Sequence, residues 1–346
     1  MSKLIGLIEV NELENGTDVM NNNRLLTSVN CPFPKLHTAN RMFYNCSALT
    51  TFKSDLPSLF DGGGMFRECH ALTTFDSKLT ELNSGRYMFY NCSALTAFKS
   101  NSNKLNDGTN MFRFCSKLNE NNFNFDNFNE TLTNGLAMFH GTSFTTIPCK
   151  FPSLIHARQM FMECNISGHL DLDMPRDFPN VKTNSFQGGD CPTAYMFGSC
   201  PITSISFDVS TCDNCISMFN NCTQLTTCTK AVFKQGGSYQ SMFTESRFDL
   251  ESAKTIFVAA KEANVQALHI GIDAQLTEEH NFVKDNLLII HPEDNSGTQW
   301  MYKYCDSHTN GDCTCEENYK YIVFRCNTDN VQTASIDDTN HAPTID

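Results

Sequence analysis

Residues 42–52 read MFYNCSALTTF, residues 65–75 MFRECHALTTF and residues 88–98 MFYNCSALTAF. The phrase fixes Met, Phe, Cys, Leu and Phe at offsets 0, 1, 4, 7 and 10, and its starts at Met42, Met65, Met88 and Met111 are three steps of 23 apart. Looser copies start at Met138, Met160, Met196, Met218 and Met242, after steps of 27, 22, 36, 22 and 24. A recurring period of this length marks a repeat architecture, in which no unit buries its apolar side alone and stacked units share one core. Offsets 0, 1 and 4 fall on one side of a helical turn, so Met42, Phe43 and Cys46 are expected to enter that core from one short helix. Leu49 and Phe52 belong to a β-branched and aromatic stretch suited to a short strand that ends before the next Asp-, Gly- or Asn-rich turn. The expected fold is an α/β repeat solenoid with a ladder of parallel strands and a small C-terminal module.

These residues resemble the leucine-rich repeats of the BspA type, in the variant with Met-Phe before the cysteine, over roughly residues 15–250. The resemblance implies a leucine-rich-repeat-like stack of helix-turn plus strand units. It also implies a scaffold that occurs in bacterial adhesins, protist surface proteins and bacteriophage virion proteins, and such a scaffold does not fix a function.

The phrase also sets boundaries. Met20 lies 22 residues before Met42 but lacks the Phe and Cys, so residues 1–41 read as an N-terminal cap with a degenerate repeat and residues 42–250 as the repeat stack. Ile256, Phe257 and Ala260 carry the 0, 1, 4 offsets on a longer helix with Ser252 as its cap. With a strand at Leu268 and Ile270, a second helix from about Thr277 and the LLII run at 287–290, residues 251–291 read as a C-terminal cap. Residues 292–346 form a cysteine-containing tail module in which Tyr319, Tyr321 and Val323 alternate as in a strand.

The chain has 346 residues, a formal net charge of −13 and 25 basic residues with no basic cluster, which excludes nucleic acid and anionic lipid as partners. No apolar run approaches the roughly 18 residues of a membrane span, so membrane insertion is not expected. The start, MSKLIGLIEVNELENG, is too short and too acidic in its apolar part for a secretory signal. The expected setting is therefore a virion assembled in the host cytoplasm, in a tail, fibre or collar, with a bacterial cell-surface adhesin as the alternative. The expected partner is a protein, either another virion component or a host-surface receptor, with a glycan or a second copy of the chain as further options.

Seventeen cysteines would fit a disulfide scaffold, but offset 4 accounts for Cys46, Cys69, Cys92, Cys115, Cys164, Cys200 and Cys222. Thr142 and Ser246 replace them in two copies, so the position reads as small filler in a reduced core. In the tail Cys305, His308, Cys313 and Cys315 are the residues that zinc would use, yet paired C-x-x-C knuckles are absent there and no cofactor is expected. Neither a nucleophile elbow nor a metalloprotease helix nor a phosphate-binding glycine loop occurs, so no enzyme is expected.

Two insertions supply the candidate binding residues. Phe123, Phe125 and Phe128 lie in the first, and Phe178 and Phe186 in the second. Such rings either fold back on the stack or stand out as interface anchors. Outward strand positions Lys53, Asp76 and Lys99 form a second candidate surface, with opposite charges expected side by side on neighbouring strands.

Overall fold

The computed structural model describes residues 10–125, 128–181, 191–273, 299–304 and 320–327. In it the Met-Phe-x-x-Cys segments are runs of tight turns and not helices. The N–H groups of Met42, Tyr44 and Cys46 each donate to the carbonyl three residues back, at 3.1 Å. Those of Ala39, Arg41, Phe43 and Asn45 donate instead to Asp61, Gly63, Met65 and Arg67 of the next repeat, at 2.8–2.9 Å. An α-helix would consume every N–H internally. Here alternate N–H groups leave the segment, and this tie recurs from Gly16 N–H on Thr38 to Asn221 N–H on Thr244.

Such a path needs left-handed residues just before the Met and three after it. Arg41 and Asn45 have φ of 55° and 57°, Tyr87 and Asn91 56° and 57°, and Gln159 and Glu163 56° and 58°. Asparagine is the non-glycine residue that tolerates this region best, which explains its recurrence at offset 3. The inward set is nevertheless the one expected: Met, Phe and Cys at offsets 0, 1 and 4 are buried in the repeats from Met42 to Met111. The offset 0 Met also needs a small residue opposite it. A Cβ on Gly85 would lie 2.7 Å from Met111 Sδ, and one on Gly108 2.6 Å from Met138 Cε.

Aromatic rings run along the core in two columns. Phe43, Phe66, Phe89, Phe112, Phe139, Phe161, Phe197, Phe219 and Phe243 stack in sequence with centroids 5.4–5.9 Å apart and planes within 16°. Phe52, Phe75 and Phe98 form the second column and meet the first edge-on at 4.8–4.9 Å. Each favourable aromatic pair adds about 0.5–1.5 kcal/mol to simple burial.

The cysteines do more than fill space. Cys69, Cys92, Cys115, Cys164, Cys200 and Cys222 donate their thiol protons to the offset 1 Phe carbonyl of the preceding repeat, at 3.0–3.2 Å. The shorter hydroxyls of Thr142 and Ser246 turn back to Phe139 and Phe243 of their own repeats. What the position keeps is a small buried donor. Burial pushes the thiols up, Cys46 to about 11 and Cys164 and Cys222 to about 12, so they stay protonated at neutral pH.

The strands are short and parallel in the first half: β1 (Ser28–Val29), β2 (Thr51–Phe52), β3 (Thr74–Phe75) and β4 (Ala97–Phe98). Their ladder is interrupted, because β1 pairs β2 and β3 pairs β4 without a β2–β3 link. After the four-residue helix α1 (Phe128–Thr131) the strands lengthen. β5 (Gly168–Asp173), β6 (Ile202–Asp208) and β7 (Thr227–Val232) form one parallel sheet, with the short helix α2 (Met174–Asp177) after β5. β8 (Ser238–Phe248) is followed by α3 (Leu250–Glu262) and β9 (Ala267–Asp273).

Ile256, Phe257 and Ala260 are buried on α3 as expected, but its cap is Asp249, whose carboxylate accepts Ser252 N–H at 2.8 Å. Ser252 has another role: its hydroxyl accepts Cys228 N–H at 2.8 Å and ties α3 to β7. In the tail β10 (Gln299–Tyr304) pairs antiparallel with β11 (Lys320–Asn327), which lies parallel to β9, so tail strands extend the sheet that β9 belongs to. The helix expected from Thr277 and the LLII run fall outside the described residues.

Two substitutions test these rules by urea unfolding. Asn91→Val should cost about 1–2 kcal/mol because a β-branched residue is forced to positive φ, whereas Asn91→Gly should stay near wild type. Cys92→Ser should leave the circular dichroism spectrum intact and cost about 1–2 kcal/mol, since the shorter hydroxyl no longer spans the gap to Phe66 O.

Candidate functional site

The insertion phenylalanines are core residues wherever their side chains are described. Phe123 is 7% exposed: it stacks on Phe98 at 5.0 Å and meets Phe112 edge-on at 5.1 Å, which is the place of the next ring in the second column. Part of the extra length is taken up before the ring, in the turn Glu120–Asn122, and part after it, so the ring keeps its seat. Phe178 is fully buried and stacks on Phe151 at 5.6 Å. Phe125 is partly buried against Phe123, Phe139 and Phe144. The expectation that Phe123 and Phe178 anchor a partner is corrected, because their apolar surface already faces other rings, whereas Phe125 keeps part of its surface exposed. The side chain of Phe128 and the whole of Phe186 fall outside the described residues, as do Cys305, His308, Cys313 and Cys315.

Lys53, Asp76 and Lys99 are exposed, as expected, but no ion pair joins them. Charge pairing between repeats occurs on other rows: Lys78 with Asp55 at 3.3 Å, Lys104 with Glu81 at 2.7 Å and Arg41 with Asp18 at 2.6 Å, each pair one step of 23 apart. All are solvent-exposed and each is worth at most about 1 kcal/mol.

A different row carries concentrated chemistry. At offset 2, beside each buried Phe, successive repeats place Tyr44, Arg67, Tyr90, Arg113 and His140. The Arg67 guanidinium lies 4.9 Å from the Tyr90 ring centroid, 5.6 Å from Tyr87 and 5.7 Å from Tyr44. Tyr90 meets Phe114 edge-on at 5.7 Å, Arg113 lies 4.8 Å over Phe114, and Phe114 meets His140 at 5.1 Å. Cations and aromatic rings thus alternate along the stack axis, each contact worth about 0.5–2 kcal/mol. Tyr44, Arg67, Tyr87, Tyr90, Arg113 and Phe114 are half-buried, while His140 is only 3% exposed. The Nε of Arg67 and both ring nitrogens of His140 have no hydrogen bond of good geometry, although Glu163 Oε2 lies 3.3 Å from His140 Nε2. The row was legible as the variable offset between two fixed ones, but nothing in a single repeat marks it.

A cavity of about 360 Å³ opens between the segment 145–150 and β5. One wall is the segment 145–150, with Thr145, Thr146, Ile147 and Lys150; the other is the start and outer edge of β5, with Ser167, His169, Leu170 and Asp171. Its polar wall is braced. Ser206 donates to Asp171 Oδ1 at 2.6 Å and lies 3.3 Å from His169 Nε2, while His169 Nδ1 is 2.8 Å from Ser204. Arg176 donates to both oxygens of Asp177 at 2.8 Å and to Asp171 Oδ2 at 3.2 Å. Bonds from Ser206 and then Arg176 hold the Asp171 carboxyl below the usual carboxylate range. This is not a catalytic triad, because Asp171 engages the serine itself and leaves His169 Nδ1 to a second serine.

Three more thiols cluster away from the offset 4 row. Cys212 and Cys215 form a C-x-x-C pair that shares a hydrogen bond, and Cys191 lies beside them against Asn214. All three are buried, and burial holds Cys215 well above the ordinary thiol range. Among the described residues no group of three or more His, Cys, Asp or Glu is arranged to hold a metal ion. Comparison with protein-family models, with curated proteins and with solved structures gives no match to this chain.

His140 gives a pH test. Burial, and then the nearby Arg113, lower its pKa against the pull of Glu163. The unfolded chain therefore takes up a proton near pH 6.5 that the folded chain refuses, and stability should fall as pH drops below about 6.5. Urea midpoints at pH 7.5 and 5.5 should differ less for His140→Phe than for the wild type.

Proposed function

We propose that the chain is a non-enzymatic protein-interaction scaffold, a leucine-rich-repeat-like solenoid that presents the offset 2 row to a protein partner. The observation that carries the reading is Arg67 held among Tyr44, Tyr87 and Tyr90 on a half-exposed face. Tyr and Arg are the residues that dominate interface energies, and they do so best when fixed before the partner arrives, because little side-chain freedom is then lost on binding. The repeat supplies that fixation, since the backbone beside each ring is tied to the next repeat at 2.8–2.9 Å.

One setting that the resemblance to BspA-type repeats permits is a bacteriophage particle, where the chain is a structural or host-recognition component of a tail, fibre or collar; a bacterial cell surface is the other. At the chain's C-terminal side β9, β11 and β10 continue the sheet that β8 begins. Quantitative mass spectrometry of purified particles against cell-envelope fractions decides between a virion and a cell surface. In whichever fraction holds the chain, Arg67→Ala should reduce its retention about tenfold or more, the effect of losing a hot-spot contact of about 2 kcal/mol. Lys53→Ala should leave retention unchanged. If Arg67→Ala folds and is retained as the wild type is, the row only braces the stack and the scaffold reading loses its binding face.

A further inference from the structure

We propose that the cavity between residues 145–150 and β5 is a binding site for a neutral pyranose residue, such as one sugar of a glycan chain. It rests on the chemistry of the cavity alone and stands apart from the arginine and tyrosine face. A volume of about 360 Å³ lies at the small-ligand end of protein pockets. Charge within the lining balances, with Lys150 and Arg176 against Asp171 and Asp177, and Arg176 is already engaged by both carboxylates. An ionic ligand would meet no unbalanced counter-charge there.

What the cavity offers is a mixture of donors and acceptors beside a small apolar wall. Thr146 and Ser167 carry hydroxyls that donate or accept. Asp171 has about four acceptor sites; Ser206 takes one on Oδ1 and Arg176 one on Oδ2, which leaves acceptors for ligand hydroxyls. Ile147, Ile166 and Leu170 supply the apolar part. A pyranose matches both demands, since its hydroxyls each donate and accept while its ring C–H face is apolar. Ser206, His169 and Arg176 already fix the polar wall through hydrogen bonds, so little ordering is left for a ligand to impose.

Saturation-transfer NMR on the full chain tests this, with methyl glycosides of glucose, galactose, mannose and N-acetylglucosamine as neutral probes and gluconate and glucosamine as charged ones. The expected result is a ring-proton signal from at least one neutral glycoside, with weaker or no signal from the charged probes. Ser167→Trp, on an exposed residue at the cavity wall, should weaken that binding tenfold or more at an unchanged circular dichroism spectrum. Thr146→Trp blocks the opposite wall and serves if the first variant fails to fold. Arg67→Ala should retain the signal, so loss of the protein-binding face and loss of the sugar site are told apart. The proposal is overturned if no neutral glycoside gives a signal, if only gluconate or glucosamine does, or if binding survives a folded tryptophan variant.

Discussion

The structure depends on how the backbone N–H groups of the Met-Phe-x-x-Cys segment are divided. Alternate groups close local turns and the others reach the next repeat, so each segment is at once a compact corner and a rung of a ladder. Neither a helix nor a flat strand divides its donors this way. The division fixes the spacing of everything attached to it: the Phe column repeats at 5.4–5.9 Å because the backbones beside it are tied at hydrogen-bond distance. It also requires residues at positive φ, which cost about 1–2 kcal/mol each for a side chain other than glycine. Burial of one Phe stabilises by a similar amount, about 1.5–3 kcal/mol, so the aromatic columns offset the strain of the turns that position them.

The thiol row follows from the same geometry. A cysteine at offset 4 points along the stack toward the carbonyl one repeat back, and its long C–S bond lets the proton reach it at 3.0–3.2 Å. Oxygen is too short for that reach, which is why Thr142 and Ser246 bond within their own repeats. A thiol also tolerates burial better than a hydroxyl, because little is lost when its weak hydrogen bond is imperfect. The row is chemically quiet for the same reason, since thiolate is the reactive form and burial suppresses it.

The inward residues were legible in the sequence; the path of the chain between them was not. Offsets 0, 1 and 4 describe which side chains share a side, and both a helical turn and a pair of tight turns place them so. Composition held the distinction: SAKTIFVAAKEA in α3 is rich in helix formers, while Asn45, Asn91 and Asn221 mark left-handed corners. Phe123 is a core ring although it lies inside an insertion, because the extra residues loop out on both sides of it and leave the ring stacked on Phe98. Lys53, Asp76 and Lys99 are exposed, but complementary charge alone does not pair them: Asp76 and Lys99 follow hydrogen-bonded strands β3 and β4 and still form no ion pair. The arginine and tyrosine row is invisible in any one repeat, because its meaning lies in the order of different residues along successive repeats and each repeat contributes only one of them.

The two halves of the repeat region differ in what they offer a partner, and the difference follows from strand length. From Tyr44 to His140 the offset 2 row carries rings and cations, and there the strands are two residues long. Beyond it the same position is Met162, Gly198, Asn220 and Thr244, while β5, β6 and β7 run to six or seven residues. Longer strands add repeat-to-repeat hydrogen bonds to the turn ties that run through both halves, so the later repeats are held without cation-and-ring contacts at the corner. The cavity lies where one regime gives way to the other: residues 145–150 form no strand, and β5 is left as the outer strand of its sheet. An edge of that kind has its polar groups satisfied by side chains, by water or by a ligand. Arg176, reaching back from α2 to Asp171 O at 3.2 Å, satisfies part of it beside the cavity.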